Sequence, residues 1–91
     1  MSVIAESRDA IASDRTGPHP LDVALGERIR RRRREIGISQ GELAGRLGIT
    51  FQQVQKYEHA TNRVSFSRLV EIARALNCGV MDIVGDLDKV A

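Results

Sequence analysis

Residues 39–58 read SQGELAGRLGITFQQVQKYE, and this run decides the fold. Ser39 followed three places later by Glu42 is a capping box: the hydroxyl takes a free backbone N–H and the carboxylate reaches back. Leu43, Ala44 and Leu47 then recur at helical spacing, and Gly48 stands where a left-handed helix end is wanted. Thr50 with Gln53 repeats the opening signal, and Val54 and Tyr57 form the inner face of a second short helix, from about Thr50 to Glu58. Only Gly48 and Ile49 separate the two helices, so they must meet at a steep angle over a shared apolar contact. Ala44 permits the close approach, while Ile49 and Val54 pack it. Such a corner holds the second helix out as a rod sized for the major groove of duplex DNA. A plain α-hairpin inside a bundle would carry the same caps, so the outward residues must discriminate.

At about 100° per residue, Gln52, Gln55, Lys56 and His59 lie opposite Val54 and Tyr57, with Phe51 at the flank. None of them is acidic, whereas a merely solvated helix face usually carries Glu or Asp. Glutamine pairs bidentately with adenine, lysine donates to guanine, and phenylalanine touches the thymine methyl. The set fits base readout better than solvation.

Outward from this core the pattern stays helical, with no strand-type alternation. A helix over about Val23–Ile36 has the stripe Leu25, Ile29 and Ile36, and Gly37 stops it. Another starts near Ser65 and should bury Phe66, Leu69, Ile72, Ala73 and Leu76; a short one over Val80–Val84 closes the domain. The expected class is all-α, a five-helix domain over 21–86. It follows a flexible arm over 1–20 that ends in Gly17-Pro18-His19-Pro20, and precedes a short tail over 87–91. The chain's 91 residues suit one small domain, whose thin margin of stability dimerisation would help.

Composition narrows the function classes. The net charge is only +2, but residues 23–63 hold nine basic side chains against four acidic ones, while the flanks are net acidic. A basic middle suits a polyanion. The chain has no apolar run of membrane-spanning length, and its N-terminus lacks the basic-then-apolar order of a secretion signal, so no membrane association is expected. Cys78, the single cysteine, fits the reducing cytoplasm and a small buried role at the end of the fourth helix. His19, His59 and Cys78 lack ligand spacing, so no metal and no cofactor is expected. Paired carboxylates in a cleft, a nucleophile beside a base and a phosphate loop are all missing, which argues against an enzyme.

Arg30 to Arg34 are five consecutive arginines, and a helix cannot point them all one way. Arg33 lies four after Ile29 and three before Ile36, hence toward the core, where a guanidinium needs a carboxylate. Glu58, at the inner edge of the third helix, is the best candidate. Arg30, Arg31 and Arg34 are expected to be solvated.

The run from Ile38 to Val80, ISQGELAGRLGITFQQVQKYEHATNRVSFSRLVEIARALNCGV, resembles the Cro/CI-type (XRE) helix-turn-helix regulators, and the likeness extends over about Pro18 to Asp86. It implies a phage-repressor-like domain, binding as a homodimer to a two-fold double-stranded operator, with repression or autoregulation as the usual outcome. It also implies a phosphate contact at Gln40, base-facing and backbone-facing positions at Thr50, Phe51, Gln52 and Lys56, and phosphate contacts at Asn62, Arg63 and Ser65, and it supports the Arg33–Glu58 pair. In one place the sequence departs: His59-Ala60 replaces the X-Gly common at the end of the third helix. Alanine resists the left-handed conformation, which puts the following loop and the Asn62 and Arg63 contacts in question.

After the fourth helix about fifteen residues remain, too few for a ligand-binding domain, so no small-molecule ligand is expected. Val80, Met81, Ile83, Val84 and Leu87 give more apolar surface than a tiny domain buries, and part of it is expected to form an isologous dimer contact. The competing reading is an antitoxin or anti-activator that mainly grips another protein. It would need an apolar surface beyond the dimer contact, and the arm over 1–20 is poor in apolar residues. A cytoplasmic, nucleoid-associated regulator is the reading that uses most of the sequence.

Overall fold

A computed structural model of the chain describes residues 17–89. Within that span α1 (Pro20–Glu35), α2 (Gln40–Leu47), α3 (Phe51–Glu58), α4 (Phe66–Ala75) and α5 (Val80–Val84) lead to a 3-10 turn over Leu87–Lys89. The described residues contain no strand, and the fold is all-α. Most of the stretch read as an arm, residues 1–16, lies outside the described residues, as do residues 90–91 of the tail.

Local chemistry sets the helix starts. Pro20, placed above at the end of the arm, instead opens α1 at the first helical position, where its missing N–H and fixed φ do no harm. His19 caps it, Nδ1 accepting from the Leu21 N–H at 3.0 Å. The Ser39 box closes in both directions: its Oγ accepts from the Glu42 N–H at 3.0 Å and Glu42 Oε1 accepts from the Ser39 N–H at 2.9 Å. The Thr50 box closes in one direction only, Thr50 Oγ1 accepting from the Gln53 N–H at 3.2 Å. A neutral carboxamide gains less than a carboxylate beside a helix N-terminus, so the return bond is dispensable.

The helix ends follow one pattern. At α1, α2, α3 and α4 a residue with positive φ (Gly37, Gly48, Ala60 and Asn77) turns the chain. In each case the next N–H returns to a carbonyl five residues back: Ile38 to Arg33, Ile49 to Ala44, Thr61 to Lys56 and Cys78 to Ala73. These are Schellman ends. Ala60 takes φ +60° despite its Cβ, so the departure from glycine leaves the backbone turn intact. The methyl is buried, which offsets part of the strain of about 1–2 kcal/mol.

The core joins Ile29 of α1 to Leu43 and Ala44 of α2, Val54 and Tyr57 of α3, Leu69, Ile72, Ala73 and Leu76 of α4, and Ile83 of α5. Phe66 corrects an expectation: it is 73% exposed rather than buried. Side chains lean toward the helix N-terminus, so at the first position of α4 the ring leans past the end of the packed face. Ile83 and Leu87 correct another, since they are buried within the chain's own body and leave Met81, 69% exposed, with half-buried Val80 and Val84 as the apolar surface of α5. Cys78 is half-buried.

Arginines take further carbonyls at the ends of α4 and α5. Arg28 donates to the Ile83 carbonyl and to Asp86 Oδ1, Arg32 to the carbonyls of Leu76 and Asn77, and Arg46 to that of Ala75. Cations at helix C-termini complement the unpaired carbonyls. Arg28 also holds the Asp86 carboxyl below its usual value, through the hydrogen bond first and its charge second. A lowered carboxyl stabilises the fold above its unfolded value of 3.8 and loses that contribution as pH falls through the folded value.

Gly26 controls where α3 sits. It is buried in the middle of α1, and a Cβ there would lie 2.5 Å from the Glu58 carbonyl oxygen and 2.7 Å from that of Tyr57. Two backbones touch at this point, and neither can yield as a side chain would. Gly26→Ala gains helix propensity of about 1 kcal/mol but forces the helices apart. A net loss of about 1–3 kcal/mol is expected in urea unfolding. An unchanged or raised midpoint would show that the contact is not tight.

Candidate nucleic-acid interface

The eight residues of α3 are too few to hold a helix alone, so its position comes from packing. Val54, Tyr57 and Glu58 face inward. Arg33 of α1 meets Glu58 fork to fork, Nε donating to Oε2 at 2.7 Å and Nη2 to Oε1 at 3.1 Å. The Arg33 side chain is 9% exposed and that of Glu58 fully buried. The remaining polar groups are satisfied: Arg33 Nη1 donates to the Ile38 carbonyl at 2.9 Å, and Gln40 Nε2 donates to Glu58 Oε1 at 3.0 Å. One carboxylate therefore ties the end of α3 to α1 and to the first residue of α2.

The outer face of α3 carries Phe51, Gln52, Lys56 and His59, all exposed, while Gln55 is half-buried at its edge. Phe51 is 47% exposed, a large apolar surface left in water beside amide and ammonium groups. Thr50, exposed, caps the helix. No acidic side chain interrupts this face, because Glu58, the one acid of α3, is turned inward.

The flanking positions are laid out around it. Gln40 is half-buried and already engaged by Glu58, so one of its amide hydrogens is committed and the other remains. Asn62, Arg63 and Ser65 are exposed in the turn from α3 to α4, with Ser65 Oγ capping α4 through the Arg68 N–H at 3.1 Å. Arg63 is paired: its Nε donates to Asp22 Oδ2, on the first turn of α1, at 3.0 Å. Asp22 had no place in the sequence reading, since a contact across 41 residues leaves no local pattern. Arg30, Arg31 and Arg34 are exposed, away from the core side that holds Arg33.

The chain is similar in sequence and fold to known proteins. A family model described as helix-turn-helix matches residues 29–83. Over 63 residues the chain is 56% identical to an uncharacterised HTH-type transcriptional regulator of Sinorhizobium medicae, a match covering 69% of this chain and 45% of the relative. The chain thus spans about half the length of that relative. Among solved structures, the clp gene regulator ClgR of Corynebacterium glutamicum aligns with a TM-score of 0.73 at 26% identity, over 80% of this chain and 94% of that one. The DNA-binding domain of the P22 C2 repressor aligns at 0.62 and 28% identity, over 74% of this chain and 90% of its own.

The buried pair yields a clear test. Arg33→Met leaves Glu58 charged and uncompensated, and a loss of about 3–5 kcal/mol is expected in thermal or urea unfolding. A variant that melts like the parent but binds DNA less well would instead make Arg33 a phosphate contact.

Proposed function

This chain belongs to the helix-turn-helix regulators of the Cro/CI (XRE) type, and on that premise we propose that it is a dimeric repressor reading a palindromic operator through the major groove. The observation that carries the proposal is the outer face of α3: Gln52, Lys56 and Phe51 exposed together, free of acid, on a helix whose other side is locked into the core. Gln52 and Lys56 are assigned base edges and Phe51 a thymine methyl. Thr50, Asn62, Arg63, Ser65 and the free amide hydrogen of Gln40 take phosphates, aided by unpaired backbone N–H groups at the N-termini of α2 and α3. Gln55, half-buried, is left a marginal role at the groove edge.

Two copies related by a two-fold axis would set their α3 helices about 34 Å apart and read half-sites one helical turn apart. The exposed Met81 with half-buried Val80 and Val84 supports α5 as the dimer contact. Repression follows if such an operator overlaps a promoter, including the protein's own. This places its action on chromosomal DNA in the cytoplasm. In the longer relative the same unit accounts for less than half the chain, so the proposal concerns the DNA-reading unit.

Footprinting upstream of its own gene, followed by titration on the protected duplex, tests the reading. Gln52→Ala or Lys56→Ala is expected to relax preference at one base pair by about 1–3 kcal/mol. Arg63→Ala is expected to weaken cognate and random DNA alike and to reduce the salt slope by about one unit. Met81→Asp is expected to raise the dimer dissociation constant at least about tenfold in sedimentation, since it puts a charge in the apolar contact. A uniform response of all base positions to Gln52→Ala and Lys56→Ala would remove α3 from base readout.

A further inference from the structure

We propose that Asp22 is a positioning residue for DNA binding, holding the Arg63 guanidinium in the orientation that meets a phosphate. The inference rests on the assignment of Arg63 to the DNA backbone. Arg63 lies in an exposed turn and its own side chain is 73% exposed, so a free arginine there would sample many rotamers. Ordering it at the moment of binding would cost affinity. Asp22 removes much of that freedom beforehand. Its carboxylate sits on the first turn of α1, is only 24% exposed, and lies where the helix N-terminus favours negative charge. It is therefore the fixed member of the pair and Arg63 the mobile one.

The atoms used matter more than the contact itself. Asp22 Oδ2 accepts from Nε, the inner nitrogen of the fork, at 3.0 Å. Nη1 and Nη2 have no hydrogen-bond partner among the described residues, and they are the outward pair that grips a phosphate bidentately. A carboxylate bound across both Nη groups would have occupied that grip and acted as a competitor. Bound at Nε, it steadies the guanidinium and leaves the grip open. The same bond anchors the turn after α3 to α1, which is itself fixed to α3 at Gly26 and through Arg33. Recognition helix and phosphate clamp are thereby held in one register. The negative charge near DNA is tolerated because Arg63 stands over it, which an isolated acid at this edge would lack.

The test is a cycle on the full chain with a duplex selected from a random pool, read by affinity and salt slope, with melting recorded for each variant. Asp22→Ala is expected to weaken binding about three- to tenfold while Arg63 is present, and to change nothing further in an Arg63→Ala background. Asp22→Asn, which keeps an acceptor for Nε, is expected to restore most of the loss, with the salt slope of the parent. Equal or tighter binding by Asp22→Ala, with Arg63→Ala still weakening binding and reducing the slope, would overturn the positioning role and leave the phosphate assignment standing. An Asp22→Ala loss that persists in the Arg63→Ala background would also overturn it, since Asp22 would then act through α1. No effect of Arg63→Ala on either affinity or slope would overturn both.

Discussion

A buried carboxylate organises this molecule. Glu58, at the inward end of α3, accepts from Arg33 of α1 and from Gln40 of α2, so one ionised group sets the mutual placement of three helices. Removing two charges from water is expensive, and such a pair adds little net stability over an apolar substitute. What it supplies is a definite geometry: hydrogen bonds to one carboxylate allow few arrangements, whereas Leu43, Val54 and Ile72 would tolerate sliding. For a helix of eight residues that is proposed to present side chains to base edges, that definiteness is the useful property.

Gly26 and the helix ends extend the same constraint. The absence of a Cβ at Gly26 lets α1 lie against the carbonyls at the C-terminus of α3, so Arg33, about two turns further along α1, arrives within reach of Glu58. The Schellman turns then fix the departure of the chain from α1, α2, α3 and α4, while Arg32 and Arg46 take carbonyls at the end of α4 and Arg28 one at the end of α5. The arginine run is accordingly divided: Arg32 and Arg33 are structural, and Arg30, Arg31 and Arg34 face water.

Much of this was legible in the sequence because it is encoded locally. The Ser39–Glu42 box, Gly37 and Gly48 announce their helices by residue type at fixed offsets, and the inward position of Arg33 follows from its spacing to Ile29 and Ile36. Tertiary choices were less visible. Ala60 and Asn77 adopt positive φ because their surroundings demand a turn, against the preference of alanine at least. Phe66 shares the helical spacing of the core yet projects from the end of α4, which periodicity cannot register. Ile83 and Leu87 were grouped with a dimer surface although the small core absorbs them, because hydrophobicity alone does not say which partner covers a side chain. The link from Asp22 to Arg63 joins distant segments and carries no periodic mark.

Methylation interference on a duplex selected from a random pool bears most directly on whether the outer face of α3 reads bases. Modification at guanine N7 lies in the major groove, and modification at adenine N3 in the minor groove. Blockage of binding by N7 methylation in two half-sites about one helical turn apart is the predicted result. Interference confined to adenine N3, or none at either atom, would contradict it.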